Sequence, residues 1–216
     1  MNLLLIGAPG AGKGTISNYL IEKHGFKHIS TGDILRQAVA DQIELGLQAK
    51  EYMNSGKLVP DNLIVNLMKD VLSKCDTSKG IIFDGFPRTI NQAYALDEML
   101  SSLNLKLDKV LVLDIDDDIL IKRITGRMVC SKCNSLYNSY FKIPHIEGKC
   151  DVCGSDLYKR KDDNLDSLNE RLSEYHINAE SLVSYYDKFN IVRHIDASVS
   201  SEEECDALEK TLKEAK

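Results

Sequence analysis

The chain has 216 residues, of which 43% are hydrophobic and 28% charged, and its net charge is −6. That balance excludes a disordered chain, allows one large domain or a core with small insertions, and argues against a general nucleic-acid binder, which would carry a basic surplus. The apolar runs fall far short of the roughly 20 residues that cross a bilayer, and the start MNLLLIGAPG lacks the basic and long apolar regions of a signal peptide, so a cytosolic place with no membrane partner and with reduced thiols is expected.

In chain order, LLLI (3–6) reads as a strand and runs straight into the glycine-rich stretch GAPGAGKGT (7–15), with a helix starting near Lys13. KHIS (27–30) is a weaker strand, and residues 31–59 read as two short helices with no strand between them. Asp61 is placed to cap a helix over 61–74, in which Ile64, Leu67, Met68, Val71 and Leu72 share one face. IIFD (81–84) and VLVLDI (110–115) are further strands. The acidic run DIDDDIL, starting at Asp114, reads as a strand end followed by carboxylates that suit a helix N-terminus rather than as a metal cluster. Residues 127–163, with four cysteines, several tyrosines and turn formers, break the alternation. A helix over 165–186 carries Leu168, Leu172, Tyr175, Ala179, Leu182 and Tyr186 at spacings of three or four, and IVRHID (191–196) closes the series as a strand. Strands that are apolar on both sides and alternate with helices predict an α/β fold. Its core is a five-stranded parallel sheet flanked by helices, with a helical insertion and a cysteine-rich insertion.

The glycine-rich stretch is a phosphate loop with one irregularity. The strict pattern places Ser or Thr directly after the lysine. Here Gly7, Gly12 and Lys13 fit, Gly14 takes the hydroxyl position, and Thr15 follows. Glycines let consecutive amides turn inward as an anion nest, the helix adds its positive end, and Lys13 adds a full charge for the outer phosphates. The reading at this point is a site for nucleotide phosphates.

IIFDGFPRT (81–89) ends a strand on Asp84, where a carboxylate beside the phosphate loop can organise magnesium. The tight turn that follows suits a cis bond before Pro87. The chain has 20 lysines and only seven arginines, at 36, 88, 123, 127, 160, 171 and 193. Lysine serves the general surface, while the planar fork of arginine matches phosphate. Arg36 lies in STGDILR, Arg123 and Arg127 in RITGR, Arg160 in YKRKDD, and Arg171 in NERLSEY off the apolar helix face.

GAPGAGKGT, STGDILR, GKLVPD, DGFPRT followed by Gln92, RITGR, RKDD and ERLSEYH together resemble the adenylate kinases, in that family's order and almost end to end. That family's loop carries a glycine after the lysine, which accounts for the late Thr15. The resemblance implies a P-loop NTPase core, magnesium, and the reaction ATP + AMP ⇌ 2 ADP. It implies that Gly10, Ala11, Gly12, Lys13, Gly14 and Thr15 hold the donor phosphates. Arg127, Leu136 and Tyr137 would contact ATP, and the backbone near Val199 would contact its adenine. Arg123 would lie against the adenine or the phosphates. Thr31, Arg36, Lys57, Leu58, Val59, Gly85, Phe86, Pro87, Arg88 and Gln92 would line the AMP site. Arg160 and Arg171 would bridge the transferred group and reach the AMP side. Lys13, Asp84, Arg88, Arg123, Arg160 and Arg171 would carry the chemistry. The implied division is a core of residues 1–29, 60–125 and 164–216, an AMP-binding insertion of 30–59, and a lid of 126–163. The two insertions would close the site against water. A monomer is implied.

Cys130 and Cys133, then Cys150 and Cys153, form two CxxC knuckles sixteen residues apart. Reduced, they make a zinc-ribbon spacing with four thiolates and no open position, hence a structural zinc. A ribbon also raises nucleic acid as a partner. Residues 127–164 carry seven Lys or Arg and five Asp or Glu, and four thiolates on one Zn²⁺ cancel that surplus, so nucleic acid is not expected. Cys75 and Cys205 read as unligated helix residues, and the five histidines show no ligand spacing, His145 being a loop residue. Two alternatives stand beside the adenylate kinase reading: a kinase for another monophosphate such as UMP or CMP, and a nucleotide-gated zinc-ribbon module without turnover.

Overall fold

The computed structural model describes residues 1–199 and 201–214. The first half contains β1 (Leu3–Gly7), α1 (Lys13–His24), β2 (Lys27–Ser30), α2 (Thr31–Ala40), α3 (Glu44–Ser55), α4 (Asp61–Ser73), β3 (Ile81–Asp84) and α5 (Ile90–Ser102). The second contains β4 (Lys109–Asp114), α6 (Asp117–Thr125), β5 (Arg127–Cys130), β6 (Leu136–Asn138), β7 (Leu157–Tyr158), α7 (Leu165–Asp187), β8 (Val192–Asp196) and α8 (Ser201–Lys213).

All five strands expected from the apolar runs join one parallel sheet in the order β2-β3-β1-β4-β8. Side chains alternate across a strand, so β1 feeds both faces. Leu4 and Ile6 enter a cluster with Met68, Phe83, Leu96 and Tyr186 from one side. Leu3 and Leu5 enter a second cluster with Ile16, Leu20, Leu120 and Leu208 from the other. Covered on both faces, the central strands β3, β1 and β4 have little polar side to show, which is why they read as apolar runs, while the edge strands β2 and β8 keep exposed Lys27 and His194.

β1 lies between β3 and β4, and the chain leaves it in one direction for β2 and β3 before crossing to β4 and β8. A crevice opens at such a switch point, beyond the carboxyl ends of the strands. The loop after β1 and Asp84 at the end of β3 both face it. Two insertions overhang the crevice. The first is the pair α2 and α3, packed so closely that a Cβ built on Gly46 would lie 2.1 Å from the carbonyl oxygen of Ala38. The second is an antiparallel sheet in the order β6-β5-β7, carrying the cysteines.

Two sequence expectations meet the structure differently. Asp61 does not cap α4: Pro60 occupies the N-cap position, with no side-chain cap bond. The helix starts at Asp61 itself, and its carboxylate turns toward the start of α5. Cys75 lies just past the end of α4 rather than within a helix, while Cys205 is helical. The bond Phe86–Pro87 is cis, in line with the tight turn read from the sequence. The acidic run behaves as expected, with Asp117 and Asp118 in the first turn of α6.

Candidate active site

The loop between β1 and α1 needs glycine at two points. Gly10 (φ 88°) and Gly12 (φ 103°) adopt backbone angles that side chains resist. Gly12 is also the N-cap of α1, so no side chain stands between the first turn and the crevice. Lys13 folds back over the loop, and its Nζ donates to the carbonyls of Gly7 (2.5 Å) and Ala8 (3.0 Å). Burial lowers the Lys13 pKa to about 8, helped by Arg88, Arg171 and Arg127 and opposed by Asp84. An arriving polyanion would hold this ammonium charged.

Asp84 is the counter-charge beneath the loop. Burial works against its ionisation, but a hydrogen bond from His28 (Nε2 to Oδ2, 3.4 Å) and the charges of Lys13, His28 and Arg88 keep its pKa below the usual carboxylate range. It is therefore an ionised carboxylate at the end of β3, held by neighbours on β2 and α1.

The crevice is a cleft of about 1330 Å³. Nine Lys or Arg and six Asp or Glu line it, a positive surplus in a chain whose net charge is −6. Six of the seven arginines face it: Arg36, Arg88, Arg123, Arg127, Arg160 and Arg171. The seventh, Arg193, pairs with Glu214 on the surface. The sparing use of arginine thus marks one place in the fold.

Several of these forks are held by carboxylates. Asp33 bonds Arg36 (2.5 Å) and lies 3.5 Å from Arg160, joining the two insertions. Asp162 pairs with Arg171 at 3.2 Å, and Asp163 takes Arg127 through both Nε and Nη2. Arg88 donates from Nε to the carbonyl of Gly85 at 2.9 Å. Burial lowers the pKa of Arg88; it lowers that of Arg171 to about 10, with Arg88 and Arg127 adding to the Arg171 shift against Asp162. Arg171 thus stays charged at neutral pH, and the charge of Arg36 adds to the Arg88 shift, so a bound polyanion would relieve the mutual repulsion of these forks.

A recess of about 80 Å³ adjoins the cleft. Thr31, Lys57, Leu58, Val59, Gly85, Gln92 and the forks of Arg36, Arg88 and Arg171 line it. Thr31 donates to the carbonyl of Gly85 at 2.8 Å, tying α2 to the loop after β3. Among the expected donor-side residues, Gly10, Gly12, Lys13, Gly14, Thr15, Leu136, Tyr137 and Val199 face the cleft, as does Pro87. Ala11 and Phe86 instead bury their side chains in the two apolar clusters, so only their backbones can serve a ligand.

The four cysteine Sγ atoms lie within 4.8 Å of one another, with Cys130–Cys153 at 3.4 Å and Cys133–Cys150 at 3.5 Å. Ligands about 2.3 Å from a tetrahedral ion stand about 3.8 Å apart, so the quartet fits a metal ion. Amides of Lys132 and Cys133 point at Cys130 Sγ (3.4 and 3.5 Å), the turn of a metal knuckle. Tyr137 links this centre to the cleft. Its hydroxyl accepts from the amide of Asp151 (2.7 Å) and lies 3.5 Å from Cys150 Sγ.

Comparison with known proteins bears on the same geometry. A family model described as adenylate kinase matches residues 5–191. The chain is 47% identical to the adenylate kinase of Thermodesulfovibrio yellowstonii over 203 residues, 94% of each chain. It is 48% identical to that of Caldicellulosiruptor bescii over 86% of each, and 46% identical to that of Archaeoglobus fulgidus over 92% of this chain and 91% of the relative. The chain belongs to the adenylate kinase family. The five-stranded parallel core with its phosphate loop is the fold expected from the resemblance, and the likeness covers both insertions as well as the core.

Sequence reading missed the acidic partners of the arginines. Asp33, Asp162 and Asp163 stand in the same short motifs as Arg36 and Arg160, a signal that was present. His28 in KHIS and Glu204 gave no local signal. Glu204 is 3% exposed on α8, with one carboxylate oxygen unpartnered and close to Gly12.

Proposed function

We propose that the cleft holds ATP and the recess holds the nucleoside of AMP, with their phosphates meeting between Lys13 and the arginines. Phosphoryl transfer between these nucleotides, giving two ADP, is the activity of the family to which the chain belongs. The observation that carries the residue assignment is the convergence of six scarce arginines, one lysine and a glycine-lined helix end on a single cleft.

The chemistry follows from charge. ATP and AMP both arrive as anions, and their reacting oxygens must approach in line. Transfer asks the protein for positioning and charge stabilisation rather than a covalent nucleophile. One charge pair at about 4 Å contributes roughly 4 kcal/mol at an effective dielectric near 20, so several cations offset the repulsion. Residues 10–15 hold the donor phosphates, and Arg127, Leu136, Tyr137 and the backbone at Val199 hold the rest of ATP. Arg36, Arg88 and Gln92 with the wall from Thr31 to Val59 take AMP. Arg123, Arg160 and Arg171 close on the transferred group.

The ionised Asp84 would hold magnesium, which would offset negative charge on the phosphates. The cysteine quartet suits a structural zinc, since four thiolates leave no position for substrate. Residues 30–59 and 126–163 act as the moving parts over a core of 1–29, 60–125 and 164–216. Closure excludes water as a competing acceptor. No helix among the described residues is long and apolar enough to cross a membrane, and the quartet's need for reduced thiols supports a cytosolic enzyme. We take it to act as a monomer without nucleic acid.

ADP formation from ATP with AMP, UMP and CMP in turn tests the substrate, with AMP expected to be used best. Arg88→Ala and Arg123→Ala test the site. Each is expected to lower kcat by about 100-fold or more while leaving the circular dichroism spectrum and Tm nearly unchanged. Near-normal turnover in both would refute the assignment.

A further inference from the structure

Gln92 and Asp61 form a closed set of hydrogen bonds at the wall of the recess. Gln92 is 2% exposed. Its Oε1 accepts from the backbone amide of Arg88 at 2.8 Å, and its Nε2 donates to Asp61 Oδ1 at 2.6 Å. The other carboxylate oxygen of Asp61 accepts from Thr89 Oγ1 at 3.1 Å. Thr89 Oγ1, the N-cap of α5, accepts in turn from the amide of Gln92 at 3.2 Å.

A side-chain amide can face either way, and its two ends are equal in shape. Here neither partner tolerates the reversed orientation. A backbone N–H only donates, and an ionised carboxylate only accepts. The bond to Asp61 is charge-assisted and thus the stronger of the two constraints. What remains for a ligand is one Nε2 proton and one lone pair on Oε1. Adenine offers a donor at its 6-amino group and an acceptor at N1. Hypoxanthine offers the reverse, an acceptor at O6 and a donor at N1. One orientation of the Gln92 amide suits one edge only.

We propose that Asp61 is a positioning residue that fixes the direction of the Gln92 amide and thereby selects a 6-amino over a 6-oxo purine monophosphate as phosphoryl acceptor. This rests on the reading of the recess as the acceptor nucleoside site. Asp61 touches no substrate and acts through Gln92.

Steady-state kinetics with ATP and either AMP or IMP test it, on the wild type and on Asp61→Ala, Asp61→Asn and Gln92→Ala. Asp61→Ala is expected to raise KM for AMP about tenfold with KM for ATP unchanged, and to lower the AMP-to-IMP ratio of kcat/KM about tenfold or more. Asp61→Asn keeps an oxygen that accepts from Nε2 and is expected to restore most of that ratio. Equal losses with AMP and IMP in Asp61→Ala, or no recovery in Asp61→Asn, would overturn the proposal. If Gln92→Ala changes neither KM for AMP nor the ratio, the reading of the recess is what fails. A Gln92→Ala effect without an Asp61→Ala effect defeats the positioning role alone. Should Asp61→Ala not fold, the Gln92 side-chain amide protons decide by NMR. One is expected well downfield in the wild type and nearer the ordinary range in Asp61→Asn, and an ordinary pair in the wild type overturns the proposal.

Discussion

The parallel sheet and the cysteine-rich segment each supply one wall of the same cleft, and they are held by different physics. The sheet sits between two apolar clusters fed by alternate residues of β1 and by helices on both faces. The segment has a buried cluster of only Cys130, Tyr137 and Cys150, with Met128 and Leu157 against it. Six large apolar side chains there, Tyr140, Phe141, Ile143, Ile146, Val152 and Tyr158, stay exposed. A piece this small cannot bury enough surface to order itself. Its geometry hangs on four sulfur atoms. One wall is therefore stabilised by many small additive contacts, and the other gathers around a single quartet of thiols that suits a metal ion.

The comparison is broken most severely from the sheet side. Phe83, fully buried in β3, fills the cluster beneath the cleft. Phe83→Ala is expected to cost about 4 kcal/mol and to lower the global Tm by roughly 10 °C, with the metal content of folded protein unchanged. A calorimetric shift of a degree or two would contradict the account of the core.

Metal removal acts on the other wall. Stripping the ion with a chelator, or Cys130→Ser, is expected to melt residues 126–163 in a separate step below the main transition and to depress turnover when warm. Hydrogen exchange should rise in that segment and not in β1 or β4. An apoprotein with one unchanged transition and full activity would remove the distinction between the two walls.

Glu204 sharpens the comparison by placing a charge problem inside the well-packed wall. Burial, reinforced by Asp196 and opposed by Arg123, raises its pKa to about 7 from 4.5. The folded state therefore binds this proton more tightly than the unfolded chain. The stability this gives is complete below about pH 4.5 and is lost as pH rises through 7. Glu204→Gln is expected to abolish that loss, gaining roughly 2 kcal/mol relative to wild type above neutrality. Parallel stability-against-pH curves for the two proteins would refute it. The smallest effect expected is that of Tyr137→Phe, which removes the acceptor for the Asp151 amide. A loss of about 1 kcal/mol should show as metal released a few times faster to a competing chelator, with the main transition unmoved.

What was legible in the sequence follows the same division. Strands covered on both faces must be apolar throughout, so LLLI, IIFD and VLVLDI announced the sheet. Glycines at special angles and a few arginines announced the cleft, and paired CxxC knuckles announced the clustered cysteine quartet, because each is a local demand written in adjacent residues. Asp61 was misread because its signal is local and its partner is not: the position before an apolar run suits a cap, yet the carboxylate serves Thr89 and Gln92 on another helix. Asp163 and His28 likewise meet partners 36 and 56 residues away, and Asp33 reaches Arg160 on the other insertion. Their types were visible, but no periodicity states which charge meets which.

The near contact at Gly46 has a mechanical consequence. With no room for a methyl group between α2 and α3, the pair has no play at its own elbow. Any swing would have to be absorbed at the two stems, after Ser30 and around Gly56, and the pair would then travel as one stiff paddle that carries Arg36 at constant reach.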